Sequence, residues 1–157
     1  MKTIGVISDT HGLLRPEALA ALRGCDLIVH AGDIGTAGVM DSLRQLGPVF
    51  AVRGNVDRER DWAGYPATQV VEVEGRSLLV LHDIHDLDLD PVAAGFAVVI
   101  SGHSHRPSWE TRRGVLYLNP GSAGPRRFDF PVTVARLQIG AGPPEAEIVR
   151  LRMQDEG

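Results

Sequence analysis

The sequence predicts an α/β fold in which two β-sheets pack face to face with helices outside. Three observations carry that expectation. The first third alternates apolar strand patterns with helical ones, the chain beyond residue 66 is strand-rich with turn signals, and five apolar strands each end in Asp, His or Asn.

Each element follows from local chemistry. TIGVIS (residues 3–8) has the unbroken apolar texture of a buried strand, and RPEALAALRG (15–24) reads as a helix with Pro16 near its start and Gly24 past its end. DLIVHAGD (26–33) is a second strand, AGVMDSLRQLG (37–47) a second helix closed by Gly47, and PVFAVRG (48–54) a third strand. Short apolar strands joined by helices imply parallel βαβ units with right-handed crossovers. TQVVEVEGRSLLVLH (68–82) then predicts two strands around a Glu74-Gly75 turn. DPVAAG (90–95) is a very short helix with Asp90 as N-cap, Pro91 at its first position and Gly95 beyond its end. FAVVISG (96–102) is another buried strand, SWETRRGVLYLN (108–119) a hairpin, and PVTVARLQI (131–139) and AEIVRLR (146–152) are late antiparallel strands. No repeat, low-complexity tract or linker interrupts this order, so residues 1–157 read as one domain.

Composition narrows the function classes. With 43% apolar and 23% charged residues, the chain has the profile of a soluble globular protein. A net charge of −4 gives no strong signal for nucleic acid or an anionic membrane. The pairs Arg58/Arg60 and Arg126/Arg127 read as solvated clusters that could hold a phosphate if an active site lies beside them. Cys25, the single cysteine, excludes intramolecular disulfides and cysteine-based zinc sites, and its apolar context predicts a plain buried thiol. The opening MKTIGVISD is too short an apolar run for a signal peptide, so a cytoplasmic location is the expectation; a homo-oligomer is left open.

Chemistry gathers at the strand ends. Asp9 and His11 follow the first strand, Asp33 the second, and Asn55 and Asp57 the third; His82 ends the strand SLLVLH, and His103 and His105 follow FAVVIS. Any one of these is an ordinary turn motif. Five in succession, four of them flanked by glycine, are not, because carboxyl ends of strands in open α/β sheets form the crevice where ligands bind. Asp, His and an Asn carbonyl without thiolates suit a divalent ion: manganese first, with iron, zinc, nickel or magnesium as alternatives. Seven candidate ligands exceed what one zinc takes, and two ions sharing a carboxylate account for them better.

At this point the chain resembles the calcineurin-like metallophosphoesterase superfamily, and its small prokaryotic phosphodiesterase branch in particular. The resemblance rests on Asp-x-His (9–11), Gly-Asp (32–33), Gly-Asn (54–55), the lone His82, Gly-His-x-His (102–105) and LNPGSAGPRRF (118–128). It implies a four-layer αββα sandwich and a dinuclear phosphoesterase, a phosphodiesterase before a monoesterase, acting on a small phosphate ester. By the same resemblance, Asp9, His11, Asp33 and His105 would hold one ion. Asp33 would bridge to a second ion completed by Asn55, His82 and His103, and a bridging hydroxide would attack phosphorus in line. Asp33 and Asn55 thus carry catalytic roles, Asn55 by hydrogen-bonding a phosphoryl oxygen. Activity would fall as pH drops below the histidine range, because only neutral imidazoles ligate.

The chain departs from the family pattern twice. Val56 stands where many members carry a histidine thought to assist the leaving group, so poor leaving groups should suffer most and diesters or activated esters gain. Asp83 stands where glycine is usual after the lone His; Asp tolerates left-handed backbone, so the turn would survive. Asp57 reads equally as a residue orienting a ligand or as a turn residue. His30 is expected to be packed or hydrogen-bonded, and His85 to be a surface residue sooner than a group near substrate. The dense stretch LHDIHDLDLD (81–90) fails as a calcium loop, because the sixth and twelfth positions counted from Asp86 are Pro91 and Ala97. Asp86 and Asp88 read as solvated turn residues. The alternative to an enzyme is a metal-binding scaffold of the same fold with little or no activity, as in a eukaryotic retromer subunit; the filled ligand positions favour the enzyme.

Overall fold

The computed structural model describes residues 1–57, 64–127 and 129–152. Arg58 and Arg60 lie outside the described residues, as do residues 59, 61–63, 128 and 153–157.

Two mixed five-stranded sheets form the centre. The first holds β1 (Lys2–Ile7), β2 (Leu27–His30), β3 (Val49–Ala51), β9 (Thr133–Ile139) and β10 (Glu145–Arg150), in the order β10-β9-β1-β2-β3. The second holds β4 (Thr68–Val73), β5 (Arg76–Leu81), β6 (Phe96–Ile100), β7 (Ser108–Arg112) and β8 (Val115–Asn119), in the order β4-β5-β6-β8-β7. Three strands in each sheet run parallel, β1-β2-β3 and β5-β6-β8, and the outer pairings are antiparallel. The two tight hairpins, β4-β5 and β7-β8, turn through left-handed residues, Glu74-Gly75 (φ 51° and 75°) and Arg113-Gly114 (φ 51° and 82°), the geometry that matches strand twist.

The layers follow from which faces are apolar. Ile4, Val6 and Val29 of one sheet meet Leu78, Val80, Val98 and Ile100 of the other in the main core. Alternate residues of the first sheet, Ile7 and Ile28, turn outward to pack against α1 (Pro16–Leu22) and α2 (Ala37–Arg44) through Ala18, Leu22, Met40 and Leu43. On the far face of the second sheet, Leu79, Leu81, Val99 and Val115 are covered by Ile84 and Leu87 of a 3-10 segment (Ile84–Asp86 and its C-cap), beside α3 (Pro91–Ala94). The fold is therefore the αββα sandwich, with a fourth layer that, among the described residues, is one short helix and one 3-10 turn. Asp90 caps α3 by accepting from the Val92 N–H at 3.0 Å, and Gly95 closes it at φ 83°. Among the described residues no helix is long and apolar enough to cross a membrane.

Candidate metal centre

The parallel arrangement brings the carboxyl ends of β1, β2, β3, β5 and β6 together, and with them the predicted residues. Around Asp9 two compact sets form, Asp9–His11–His105 and Asp9–Asp33–His82, each with ligand atoms within 4.8 Å of one another. Asp9 Oδ1 lies 3.8 Å from His11 Nε2, 3.9 Å from His82 Nε2 and 3.5 Å from His105 Nε2. Asp33 Oδ2 reaches two of these three rings, 3.7 Å from His11 Nε2 and 3.2 Å from His82 Nε2. His103 and Asn55 stand outside these compact sets but adjoin them. Asn55 Nδ2 is 3.3 Å from His103 Nδ1, and the His103 ring meets His82 edge-on at 5.2 Å.

A divalent ion suits this donor set. Asp9 Oδ1, His11 Nε2 and His82 Nε2 are buried and make no well-formed hydrogen bond among the described residues, facing one another, Asp33 and His105 at 3.2–3.9 Å; a bound cation, or a proton held on His82, completes the arrangement. The other polar atoms of Asp9 and His82 are fixed. Ser8 Oγ and the His103 N–H donate to Asp9 Oδ2 at 2.7 and 3.0 Å, which leaves Oδ1 as the free lone-pair site. His82 Nδ1 donates to the Ala31 carbonyl at 2.7 Å, so Nε2 carries the lone pair in the neutral ring. Burial alone would lower the His82 pKa, but the Asp33 and Asp9 carboxylates reverse the sign and hold it up at about 9. Burial pushes Asp9 up, yet His11, Ser8, His82 and His105 together bring it below the usual carboxylate value. For His105 burial dominates and lowers the imidazole, Arg127 adding in the same direction against Asp9.

The backbone is strained where it presents these groups. Among the described residues seven non-glycine residues have positive φ; two are the hairpin residues, and the other five are Asp9 (56°), His11 (47°), Asp33 (58°), His103 (70°) and His105 (63°). Left-handed backbone at a non-glycine residue costs on the order of 1–3 kcal/mol, and it persists where surrounding contacts over-determine it. Those contacts run from loop to loop. His11 N–H donates to Asp33 O at 2.9 Å, Gly12 N–H to Ile34 O at 2.8 Å, and Gly102 N–H to His82 O at 2.8 Å. Two glycines permit close approach: a Cβ on Gly54 would collide with Asp33, and one on Gly102 with Ser8 and Asp9.

The remaining predicted positions separate cleanly. His30 is fully buried, accepts the Gly32 N–H on Nδ1 at 3.0 Å and therefore faces Thr10 Oγ1 with Nε2–H at 3.0 Å. Burial pushes it down to about 4, so it is a neutral strut between the first two loops. Asp57 is buried and accepts from backbone amides on two loops, which makes it far more than a turn residue. His85 is on the surface, its side chain 87% exposed and tied to Asp83. Asp83 needs no left-handed backbone: at φ −114° it is extended and caps the 3-10 turn by accepting the His85 N–H at 3.0 Å, so the expected glycine-like turn is replaced by a cap. Its other oxygen sits 3.6 Å from His103 Nε2. A cavity of about 490 Å³ opens beside His82 and Asn55, walled by Arg53, Ala67, Asp83 and Asp86. Asp86 thus lines a cavity, a role its reading as a solvated turn residue did not include.

Asn119 was not singled out from the sequence. It ends β8, the third parallel strand of its sheet, and its amide donates to Gly102 O at 2.9 Å and Ser104 Oγ at 3.1 Å, holding the loop that carries His103 and His105. The signal was present, because β8 ends in a polar amide just as its five parallel companions end in polar groups. Ser122, which donates to the Asp9 carbonyl at 3.1 Å, had no such signal.

Comparison with known proteins agrees with this geometry. Residues 1–142 match the calcineurin-like phosphoesterase superfamily domain. A probable metallophosphoesterase of Methanothermobacter thermautotrophicus is 36% identical, the match covering 94% of this chain and 91% of that protein. Phosphodiesterase YfcE of Escherichia coli is 29% identical over 83% of this chain and 84% of its own. Vps29 of Chaetomium thermophilum superposes with a TM-score of 0.77 over 96% of this chain and 95% of its own at 18% identity, a likeness of fold.

Proposed function

The chain belongs to the calcineurin-like phosphoesterase superfamily and is a metal-dependent phosphoesterase, and from that premise we propose that it is a dinuclear phosphodiesterase. Residues 1–157 act as one catalytic domain. Asp9, His11, Asp33 and His105 would hold one ion, and Asp33, Asn55, His82 and His103 the other. Manganese is the first candidate, since the donors are imidazole, carboxylate and amide oxygen. When bound, the pair supplies Lewis acidity that activates water for in-line attack and offsets charge on the phosphoryl oxygens.

The chain's own residues do the rest. Asp33 spans both ends of the site, because one oxygen faces His11 and His82 alike. Asn55, at the mouth of the cavity, offers its amide to a phosphoryl oxygen, and the cavity takes an ester substituent. Valine at position 56 supplies no proton to a leaving oxygen, which favours diesters and activated esters. The observation that carries this reading is the convergence of buried ligand atoms from Asp9, His11 and His82 that make no well-formed hydrogen bond among the described residues.

An assay of the metal-reconstituted protein, Mn²⁺ first, against diesters, aryl monoesters and alkyl monoesters tests it. The expected result is metal-dependent hydrolysis lost on chelation, with aryl monoesters exceeding alkyl ones in kcat/KM by about 10²-fold or more, the usual worth of a general acid. Two bound ions without cleavage of any ester would leave the scaffold reading in its place, and equal aryl and alkyl rates would mean that another residue donates the proton.

A further inference from the structure

Asp57 occupies an unusual position. Its side chain is fully buried, and it belongs to the 3-10 turn Asn55–Asp57 that follows β3. The carboxylate turns back into the protein and accepts from three backbone amides. Ile34 N–H is shared between Oδ1 and Oδ2 at 3.1 and 3.0 Å, Gly35 N–H donates to Oδ1 at 3.2 Å, and Gly54 N–H donates to Oδ2 at 3.0 Å. Asp57 N–H in turn donates to Gly54 O at 3.3 Å, which closes the turn.

These amides flank two of the candidate ligands. Ile34 follows Asp33, and Gly54 precedes Asn55. Asp33 sits in left-handed backbone at φ 58°, and Gly54 packs directly against it. We infer that Asp57 is the positioning residue of the second metal site: its carboxylate locks the loop carrying Asp33 to the loop carrying Asn55 and so sets the separation of these two ligands. A carboxylate suits the task because it offers only acceptors, and three convergent N–H groups leave no place for a donor. The first site depends on Asp57 less directly. Asp9 and the loop of His105 are held by hydrogen bonds from Ser8, His103 and Asn119, none of which involves Asp57.

The inference rests on the dinuclear reading, and the test separates the two. Mn²⁺ is titrated into wild-type protein and Asp57→Asn, with stoichiometry and affinity read by calorimetry and the ion pair by electron paramagnetic resonance. Asp57→Asn puts an amide NH₂ against N–H donors while keeping the side chain's size. The expected result is two ions and a spin-coupled signal in wild type, against weakening of the second ion by roughly 10–100-fold and a mononuclear signal in the variant, the range seen when a ligand loses its support. Two ions bound as in wild type would overturn the positioning role and leave the dinuclear reading intact; so would equal weakening of both ions, which marks a general loss of structure. Absence of a second ion in wild type would overturn both.

If the variant does not fold, amide hydrogen exchange on metal-free wild type decides. The Ile34, Gly35 and Gly54 amides should exchange at least a hundredfold more slowly than exposed-loop amides such as that of Gly142. Exchange at the exposed-loop rate would mean that no lock exists before metal arrives, and the inference would fall.

Discussion

Asp33 and His82 are where charge and metal compete most directly. Without an ion, His82 is held protonated to about pH 9 by Asp33 and Asp9, so at neutral pH each metal-binding event at this ring must displace a proton. Apparent affinity should therefore tighten by up to about tenfold per pH unit between neutrality and pH 9 and level off above it, as a calorimetric titration series would show. The folded pKa is raised above the unfolded one, so in metal-free protein this pairing stabilises fully below the ordinary histidine value and is lost as pH rises through 9. His30 has the opposite sign: depressed to about 4, its burial favours the fold above the ordinary value and is lost as pH falls through 4. Metal-free protein should thus melt highest near the ordinary histidine pKa and lower on either side. Replacing Asp33 by Asn removes the charge that both His11 and His82 face, and kcat should fall by roughly 10²–10³-fold, the cost of one preorganised electrostatic partner. Steady-state kinetics at saturating Mn²⁺ would show this; full activity in Asp33→Asn would end the bridging assignment.

At the scale of elements, strands were legible and loop geometry was not. Runs such as FAVVI and LIVH are apolar on both faces, which a strand buried in a sandwich requires, while the exposed SWETR was legible from its hairpin pattern, and β1 to β10 all appear where these patterns predict. The polar ends of the strands named the candidate ligands for the same reason. What the sequence did not disclose was how the loops are held. Asp57 and Asn119 act through backbone groups distant in sequence, Ile34 and Gly102, and such pairings leave no local pattern. Asp83 was expected to mimic a glycine, but a 3-10 turn gave it a cap to make instead. The Gly54 loop is one of the tight connections. A methyl group there would run into Asp33, so Gly54→Ala should destabilise by about 1–3 kcal/mol, the range for overpacking, and should lower Tm by several degrees. It should also weaken metal binding, whereas Gly142→Ala, with open space around it, should do neither. Thermal melts with and without Mn²⁺ would check both.

The whole molecule explains why so short a chain can hold this chemistry. Two sheets share one apolar core, and six parallel strands, three from each sheet, deliver their carboxyl ends to one edge. Five carry candidate ligands and the sixth carries Asn119, which braces the loop of His103 and His105. Among the described residues the helical cover is uneven: α1 and α2 protect one outer face, while the other has a 3-10 turn and a four-residue helix. That layer borders the cavity beside Asn55 and His82 through Asp86. The central claim is that this edge holds two ions. Anomalous diffraction from Mn²⁺-loaded crystals tests it most directly. The prediction is two manganese peaks about 3.5–4 Å apart, one among Asp9, His11, Asp33 and His105 and the other among Asp33, Asn55, His82 and His103. A single peak at full occupancy, or peaks that leave His82 and Asn55 without an ion, would contradict it.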